Sequence, residues 1–473
     1  MRIFRFVLAI ALLASSSVVM AKDSDMIRDI TREQVDEKAL TDAIASRTLS
    51  WLTGSSSNND YMSVGRMANY FGFVGLRVAS GHSLSRSQVA KQTLSVLDSQ
   101  QRNTLLALLE QQKTPFEQVA KSRFAMNRAL EGLLIGESIS EKEFLELGQR
   151  YGQHEAQLGQ IIAETFGKII QTLTAEQKQQ LDAIRYAHLN GKGQELAKAN
   201  SKPKIKLNKN DKKELTNLAA RFLSWSTGSE AFNDFEVVGK PSQHFGFVSL
   251  RMASNHGVKR GQVSKEVMSL LTADQRKVLE QAAKSNIDEF NRFIEQRGNL
   301  MRNLEVAQNG QSIETEKVLR YGREVGKVEA SMTWSQAMAM LKVRASLTDE
   351  QSQSLLSIRN KYTAVGDQNL PKNSVERGRQ LYSQCNLCHS DSSTTAPNLN
   401  SIVGRKVASD DSYNNYSKAI IDFSSSHKVW TEPLLKQFIA SPKALIPGTY
   451  MGFTGLRNTQ DQQALVDYLS SLN

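Results

Sequence analysis

Apolar side chains recur at three- and four-residue steps along most of this chain. Leu97, Leu105, Leu108 and Leu109 fall on one helical face, as do Ile161, Ile162, Phe166, Ile169, Ile170 and Leu173. Residues 99–131, 141–186, 273–307 and 314–360 are rich in Leu, Ala, Gln, Glu, Lys and Arg and hold a single proline, Pro115. Helix starts are marked by a capping residue followed three places later by glutamine: Thr174 with Gln177, Thr272 with Gln275, Thr348 with Gln351, and the variant Asp98 with Gln101. These signals predict an all-α chain of long antiparallel helices in bundle or hairpin form.

The pattern occurs twice. Displaced by 174 residues, Leu49-Ser50-Trp51 meets Leu223-Ser224-Trp225, and Phe71-Gly72-Phe73-Val74 meets Phe245-Gly246-Phe247-Val248. Asp60, Arg77 and His82 meet Asp234, Arg251 and His256 in the same register. Units of this length, about 170 residues, are domain-sized and too long for solenoid repeats. Two homologous helical domains are therefore expected, at 22–191 and 214–365.

Composition narrows the class. Of 473 residues, 40% are hydrophobic and 23% charged, which suits a globular protein. Two cysteines exclude a disulfide scaffold and a cysteine-rich metal site. Arg2 and Arg5, the apolar stretch from Phe6 to Leu13 and the small-residue site Val19-Met20-Ala21 form a secretory signal peptide, 1–21. The expected mature protein is exported to the periplasm and keeps no membrane span. The net charge of +11 is concentrated in 192–213, where eight lysines face Glu195 and Asp211. Such a run is a solvated linker. No nucleic-acid module accompanies it, so nucleic acid is not expected as a partner.

The Leu-Thr-x-x-Gln helix starts at 173–177, 271–275 and 347–351 resemble the LTxxQ motif of Spy/CpxP-type periplasmic helical proteins. That resemblance implies a chaperone or stress-response role and covers only the helix starts. It leaves the Trp51–His82 and Trp225–His256 segments unexplained. These either plug a helical core through Phe71, Phe73 and Leu76, or form a recognition loop whose polar contacts are Asp60/Asp234, Arg77/Arg251 and His82/His256.

Both cysteines lie in Cys385-Asn386-Leu387-Cys388-His389. C-x-x-C-H is the attachment signature of c-type haem: two thiols add to the two vinyl groups of one porphyrin, and the adjacent imidazole becomes the proximal ligand. A thioredoxin-like C-x-x-C wants a βαβ context, and a zinc half-site wants further Cys or His. Neither is present. Met451, in Pro447-Gly448-Thr449-Tyr450-Met451, is the candidate sixth ligand.

From Gly378 to Leu472 the chain resembles the class I cytochromes c of mitochondrial or bacterial short-chain type. The resemblance rests on Gly378-x-x-Leu381-Tyr382, the haem signature, Ala396-Pro397-Asn398-Leu399, Gly404-Arg405-Lys406, Tyr413-x-x-Tyr416-Ser417, Trp430, Pro447-Gly448-Thr449-x-Met451, and a last helix with Leu465, Tyr468 and Leu469. It implies one covalent haem c held by Cys385 and Cys388, with His389 and Met451 as axial ligands. The Pro397 carbonyl would fix the His389 ring. Arg405, Tyr416, Trp430 and Thr449 would surround the propionates, Phe453 would cover the haem edge, and Gly378 would let the first helix cross the last against Tyr468. There are three departures. The loop from His389 to Pro397 is short, Phe438 replaces the family's usual Tyr, and residues 371–473 hold ten Lys plus Arg against eight Asp plus Glu, so the lysine ring is thin.

The expectation is a non-enzymatic, periplasmic one-electron carrier: a mono-haem cytochrome domain at 371–473, with helical repeats that dock a redox partner protein. The rival is a periplasmic chaperone, sensor or metal-stress protein whose haem domain reports redox state. An enzyme with its active site in the duplicated loops would need a nucleophile–base pair or metal cluster, and the sequence shows none.

Overall fold

The computed structural model describes residues 37–53, 86–134, 136–189, 206–228, 260–367, 373–382, 385, 389, 396–451, 453, 455–456 and 459–472. The expected signal peptide at 1–21, Cys388 and most of the Trp51–His82 and Trp225–His256 segments lie outside them.

The first copy folds as α1 (Glu37–Leu52), α2 (Arg86–Val96), α3 (Ser99–Gln111), α4 (Lys113–Leu134), α5 (Glu141–Thr172) and α6 (Ala175–Leu189). The second folds as α7 (Lys209–Ser226), α8 (Arg260–Leu270), α9 (Ala273–Ser285), α10 (Ile287–Glu305), a 3₁₀ turn (Val306–Asn309), α11 (Thr315–Ala345) and α12 (Asp349–Asp367). Each expected cap forms. The Asp98 and Thr272 side chains accept from the Gln101 and Gln275 amides, and both glutamines bond back to the cap N–H. Thr174 with Gln177 and Thr348 with Gln351 do the same. The continuous helix expected over 99–131 breaks at Gln112, and that over 273–307 breaks at the matching Asn286. Pro115 is accommodated in the first turn of α4, where its missing N–H has no helical partner to lose.

The described end of the lysine-rich run, 206–213, enters a helix. Asn208 caps α7 by accepting from the Asp211 amide, so Lys209–Lys213 become its first turn. Charge density marked solvent exposure there, and a well-capped helix meets that requirement as readily as a linker does.

The division into two helical domains also does not describe the packing. The copies exchange their first helices. α1 of the first copy packs on α8, α9, α11 and α12 of the second, while α7 of the second packs on α2, α3, α5 and α6 of the first. Trp51 and Trp225, at the ends of these helices, are fully buried. Arg359 on α12 donates to the Ser50 carbonyl at 3.3 Å and to Thr53 Oγ1 at 3.2 Å, and so caps the C-terminus of α1. Its counterpart Arg185 on α6 donates to the Ser224 carbonyl and Thr227 Oγ1, both at 3.4 Å, and caps α7. One hydrophobic core runs through both copies.

At its centre the long helices α5 and α11 cross. Gly148 and Gly152 lie against their repeat counterparts Gly322 and Gly326. A Cβ on Gly152 would overlap the Gly322 carbonyl oxygen, and one on Gly326 the Gly148 carbonyl oxygen. Only glycine permits this backbone contact. Nearby, Arg123 of α4 and Glu329 of α11 pair at 3.5 Å, both nearly buried, across the two copies.

The C-terminal domain has its own core, built on Leu381, Trp430, Leu434, Phe438, Ile439, Leu465 and Leu469. Its helices are α13 (Ser374–Tyr382), α14 (Lys418–Ser426), α15 (Glu432–Ala440), the single turn α16 (Pro442–Leu445) and α17 (Thr459–Ser470). No strand forms among the described residues beyond one antiparallel bridge, Lys406 with Val429. No helix among the described residues is long and apolar enough to cross a membrane.

Candidate haem pocket

The first and last helices of this domain cross at Gly378, where any Cβ would overlap the Ala464 carbonyl oxygen and press on Tyr468. The Tyr382 and Tyr468 rings meet beside the crossing at 5.1 Å, tilted by 54°. Arg377 clamps it from outside through two bonds to Asp461, each 2.9 Å. This frame fixes the segment leaving α13. The Cys385 amide bonds to the Tyr382 carbonyl at 2.9 Å, and the His389 amide to the Cys385 carbonyl at 3.0 Å. Cys385 and His389 thus stand one helical turn apart.

The loop from 396 to 417 forms the opposite wall. Asp410 organises it. Its carboxylate accepts from the Asn398 amide at 2.7 Å and from both the amide and hydroxyl of Ser412, at 3.0 and 2.6 Å. Burial pushes the Asp410 pKa up, but these bonds and nearby Arg405 outweigh it, and the net shift is downward. The Asp410 amide donates to the Tyr416 hydroxyl at 3.0 Å. Arg405 donates to the Asn398 carbonyl at 2.6 Å and to the Asn400 carbonyl at 3.3 Å. Trp430 is held by backbone bonds to Gly404 and Arg405 and by its ring contact with Phe438 at 5.0 Å. The third wall is the loop after α16. Gly448 turns there at φ 90°, and Thr449 Oγ1 accepts from the Met451 amide at 3.2 Å.

These walls enclose a cavity of about 270 Å³. Cys385, His389, Pro397, Arg405, Tyr416, Trp430, Thr449, Met451 and Phe453 all line it. Every expected site residue within the described part of the chain is therefore brought together. His389 Nδ1 lies 2.6 Å from the Pro397 carbonyl oxygen. Burial pushes the pKa of this imidazole down, so it stays neutral and donates its Nδ1 proton to Pro397. Nε2 is then the nitrogen with a lone pair for a metal. A thiol, a neutral imidazole and a thioether on one largely apolar cavity suit an iron porphyrin. Phe438, which lacks the hydroxyl usual in the resembling family, is buried against Trp430.

Two lining residues come from outside the domain: Lys121 and Arg128, both on α4 of the helical body. Nothing in the sequence marked them, because exposed cations on an amphipathic helix are ordinary. Phe453 touches both the helical core and the C-terminal core.

No family model matches the chain. Curated relatives do. A cytochrome c2 of Rhodomicrobium vannielii is 35% identical over 99 residues, which are 20% of this chain and 76% of the relative. Cytochrome c-554 of Methylosinus trichosporium is 41% identical over 113 residues, 23% of this chain and 83% of the relative. Among solved structures, cytochrome cH from Methylobacterium extorquens is 29% identical over 20% of this chain and 97% of that one, with a TM-score of 0.19. The aligned stretches of these two cytochrome relatives, 99 and 113 residues, are close in length to the C-terminal domain at 371–473. Through that domain the chain belongs to the cytochrome c family of electron carriers with covalently attached haem c.

Proposed function

We propose that the protein is a periplasmic one-electron carrier. In this reading Cys385 and Cys388 would hold the haem covalently, and His389 and Met451 would ligate its iron. The observation that carries the reading is the 2.6 Å contact of His389 Nδ1 with the Pro397 carbonyl, in the same cavity that Cys385 and Met451 line. The haem supplies reversible one-electron chemistry at iron. The chain supplies ligands, orientation and dielectric. Ligands supplied by both loops would leave no coordination position for substrate, which favours electron transfer over catalysis.

The propionates would meet donors already oriented by the backbone. The Tyr416 and Thr449 oxygens accept from the Asp410 and Met451 amides, so each hydroxyl keeps its own hydrogen to donate. Two of the Arg405 nitrogens are committed to carbonyls, which holds its charge in place as a counter-ion. Trp430 would close the same end, and Phe453 would shield the haem edge from water.

The helical body would place or dock a redox partner protein. The Leu-Thr-x-x-Gln glutamines are spent on internal bonds, so this motif gives no support to a chaperone surface.

The test is chemical. Protein extracted with acidified acetone should keep its colour, and the Cys385→Ala, Cys388→Ala double variant should lose it. Haem that extracts from the wild-type protein would overturn the reading.

A further inference from the structure

α4 buries one stripe in the helical body: Phe116, Val119, Ala120, Arg123, Met126, Asn127 and Leu130. Lys121 and Arg128 lie off that stripe and are exposed. Seven residues apart, they share one face at two levels separated by ~10 Å along the axis. That face meets the haem cavity, which both residues line. The second copy places Glu295 and Arg302 at the matching positions of α10. The two positions carry two positive charges in the first copy and none, net, in the second. Meanwhile the cytochrome domain is itself only weakly basic, with ten cationic against eight anionic side chains over 371–473.

We infer that Lys121 and Arg128 are part of the haem site: the helical body supplies, within the same chain, the positive field that sets the haem's reduction potential. The inference rests on the reading that haem c fills this cavity. Oxidation adds one positive charge at iron, and fixed cations at the pocket wall oppose it. They stabilise the reduced form and raise the potential. Phe453 packs against both cores, so the two bodies also meet at this residue of the cavity wall. The thin lysine complement of the cytochrome domain is thereby made up from another part of the molecule. Neither residue ligates iron, so both act by position.

The experiment uses the full-length holoprotein and measures midpoint potential by spectroelectrochemistry at low and high ionic strength. Lys121→Ala with Arg128→Ala should shift the potential downward. Lys121→Glu with Arg128→Ala should shift it further. Both shifts should shrink with salt, because solvent-exposed charges are screened. The covalent haem content, the sulfur-to-iron absorption band and the melting temperature should stay at wild-type values. Glu295→Lys, which copies the first-copy residue into the second, should leave the potential unchanged. An unaltered potential in the double variant at low salt, or an equal shift from Glu295→Lys, would overturn the inference. A wild-type protein without covalent haem would instead overturn the cytochrome reading, and haem analysis reports that separately.

Discussion

Gln101 and Gln177 exchange amide hydrogen bonds: the Gln177 amide donates to Gln101 Oε1 at 2.8 Å, and the Gln101 amide donates back at 3.2 Å. Gln275 and Gln351 repeat the arrangement at 2.9 and 3.2 Å. Each glutamine also closes its own capping box, and Gln177 further donates to the Val96 carbonyl at 2.9 Å. Two helix starts distant in sequence are thereby tied back to back. Gln177→Leu should destabilise the helical body by about 1–3 kcal/mol, since it removes the part-buried bonds to the Val96 carbonyl and to Gln101. Thermal melting by circular dichroism reads the loss, while the haem spectrum stays unchanged.

The glycine crossing is the most sequence-intolerant point of the helical body. Gly152→Ala puts a methyl into the Gly322 carbonyl, so α5 and α11 must part along their whole contact. Overpacking of this kind typically costs about 1–3 kcal/mol. Gly261→Ala is the matched control: a Cβ there meets nothing within 4 Å, and removing a glycine from a helix should be neutral or stabilising by under about 1 kcal/mol. Denaturant midpoints for the two variants should move in opposite directions, or the control should not move.

Met451 carries the ligation expectation. Met451→Ala should abolish the weak near-infrared sulfur-to-iron band of the oxidised protein and leave covalent haem in place. Met451→His should keep six ligands and lower the potential, because imidazole favours ferric iron more than a thioether does. Persistence of the band in the alanine variant would assign the sixth position to another residue.

An alkaline weakness lies between α8 and α12. Glu266 accepts from Lys361 at 2.8 Å and from the Tyr362 hydroxyl at 2.6 Å. Burial, then the bond to Glu266 and its negative charge, push the Tyr362 pKa from 10.0 to about 12. The neutral phenol is favoured in the folded state. Its contribution is complete below pH 10, falls as the unfolded chain ionises first, and is gone above about 12. Tyr362→Phe should flatten the loss of melting temperature between pH 10 and 12. Unaltered alkaline sensitivity in that variant would place the weakness elsewhere.

The haem pocket was legible in the sequence because its residues do chemistry that few substitutes can do. Cys385, His389 and Met451 are named by what haem attachment and iron require, whereas Pro397 and Gly378 are named only through the resemblance to class I cytochromes c. The helical caps were legible for a similar reason, since Asp98 or Thr272 followed by glutamine satisfies amides that nothing else reaches. The exchange of α1 and α7 was not. An apolar helix face says that it must be buried, and two homologous copies offer it equivalent grooves. Lys209–Lys213 misled because solvent exposure and helix are compatible. Lys121 and Arg128 could not be singled out, because their role depends on a neighbour more than 250 residues away along the chain.

With its first helices exchanged, the helical body resembles a homodimer whose two subunits lie in one chain. Neither half is a finished object: without its counterpart, each would expose the groove that receives a helix and the apolar side of the helix it gives away. Residues 37–189 produced alone should therefore self-associate by mutual exchange, and sedimentation should return a dimer in place of a monomer. A protease site placed at 196–204 should leave both fragments in one particle until denaturant is added. Joining the halves also released them from symmetry. Separate identical subunits must carry every mutation twice, whereas fused copies can keep Glu295 on one flank and Lys121 on the other, so that a single haem domain meets one chosen face.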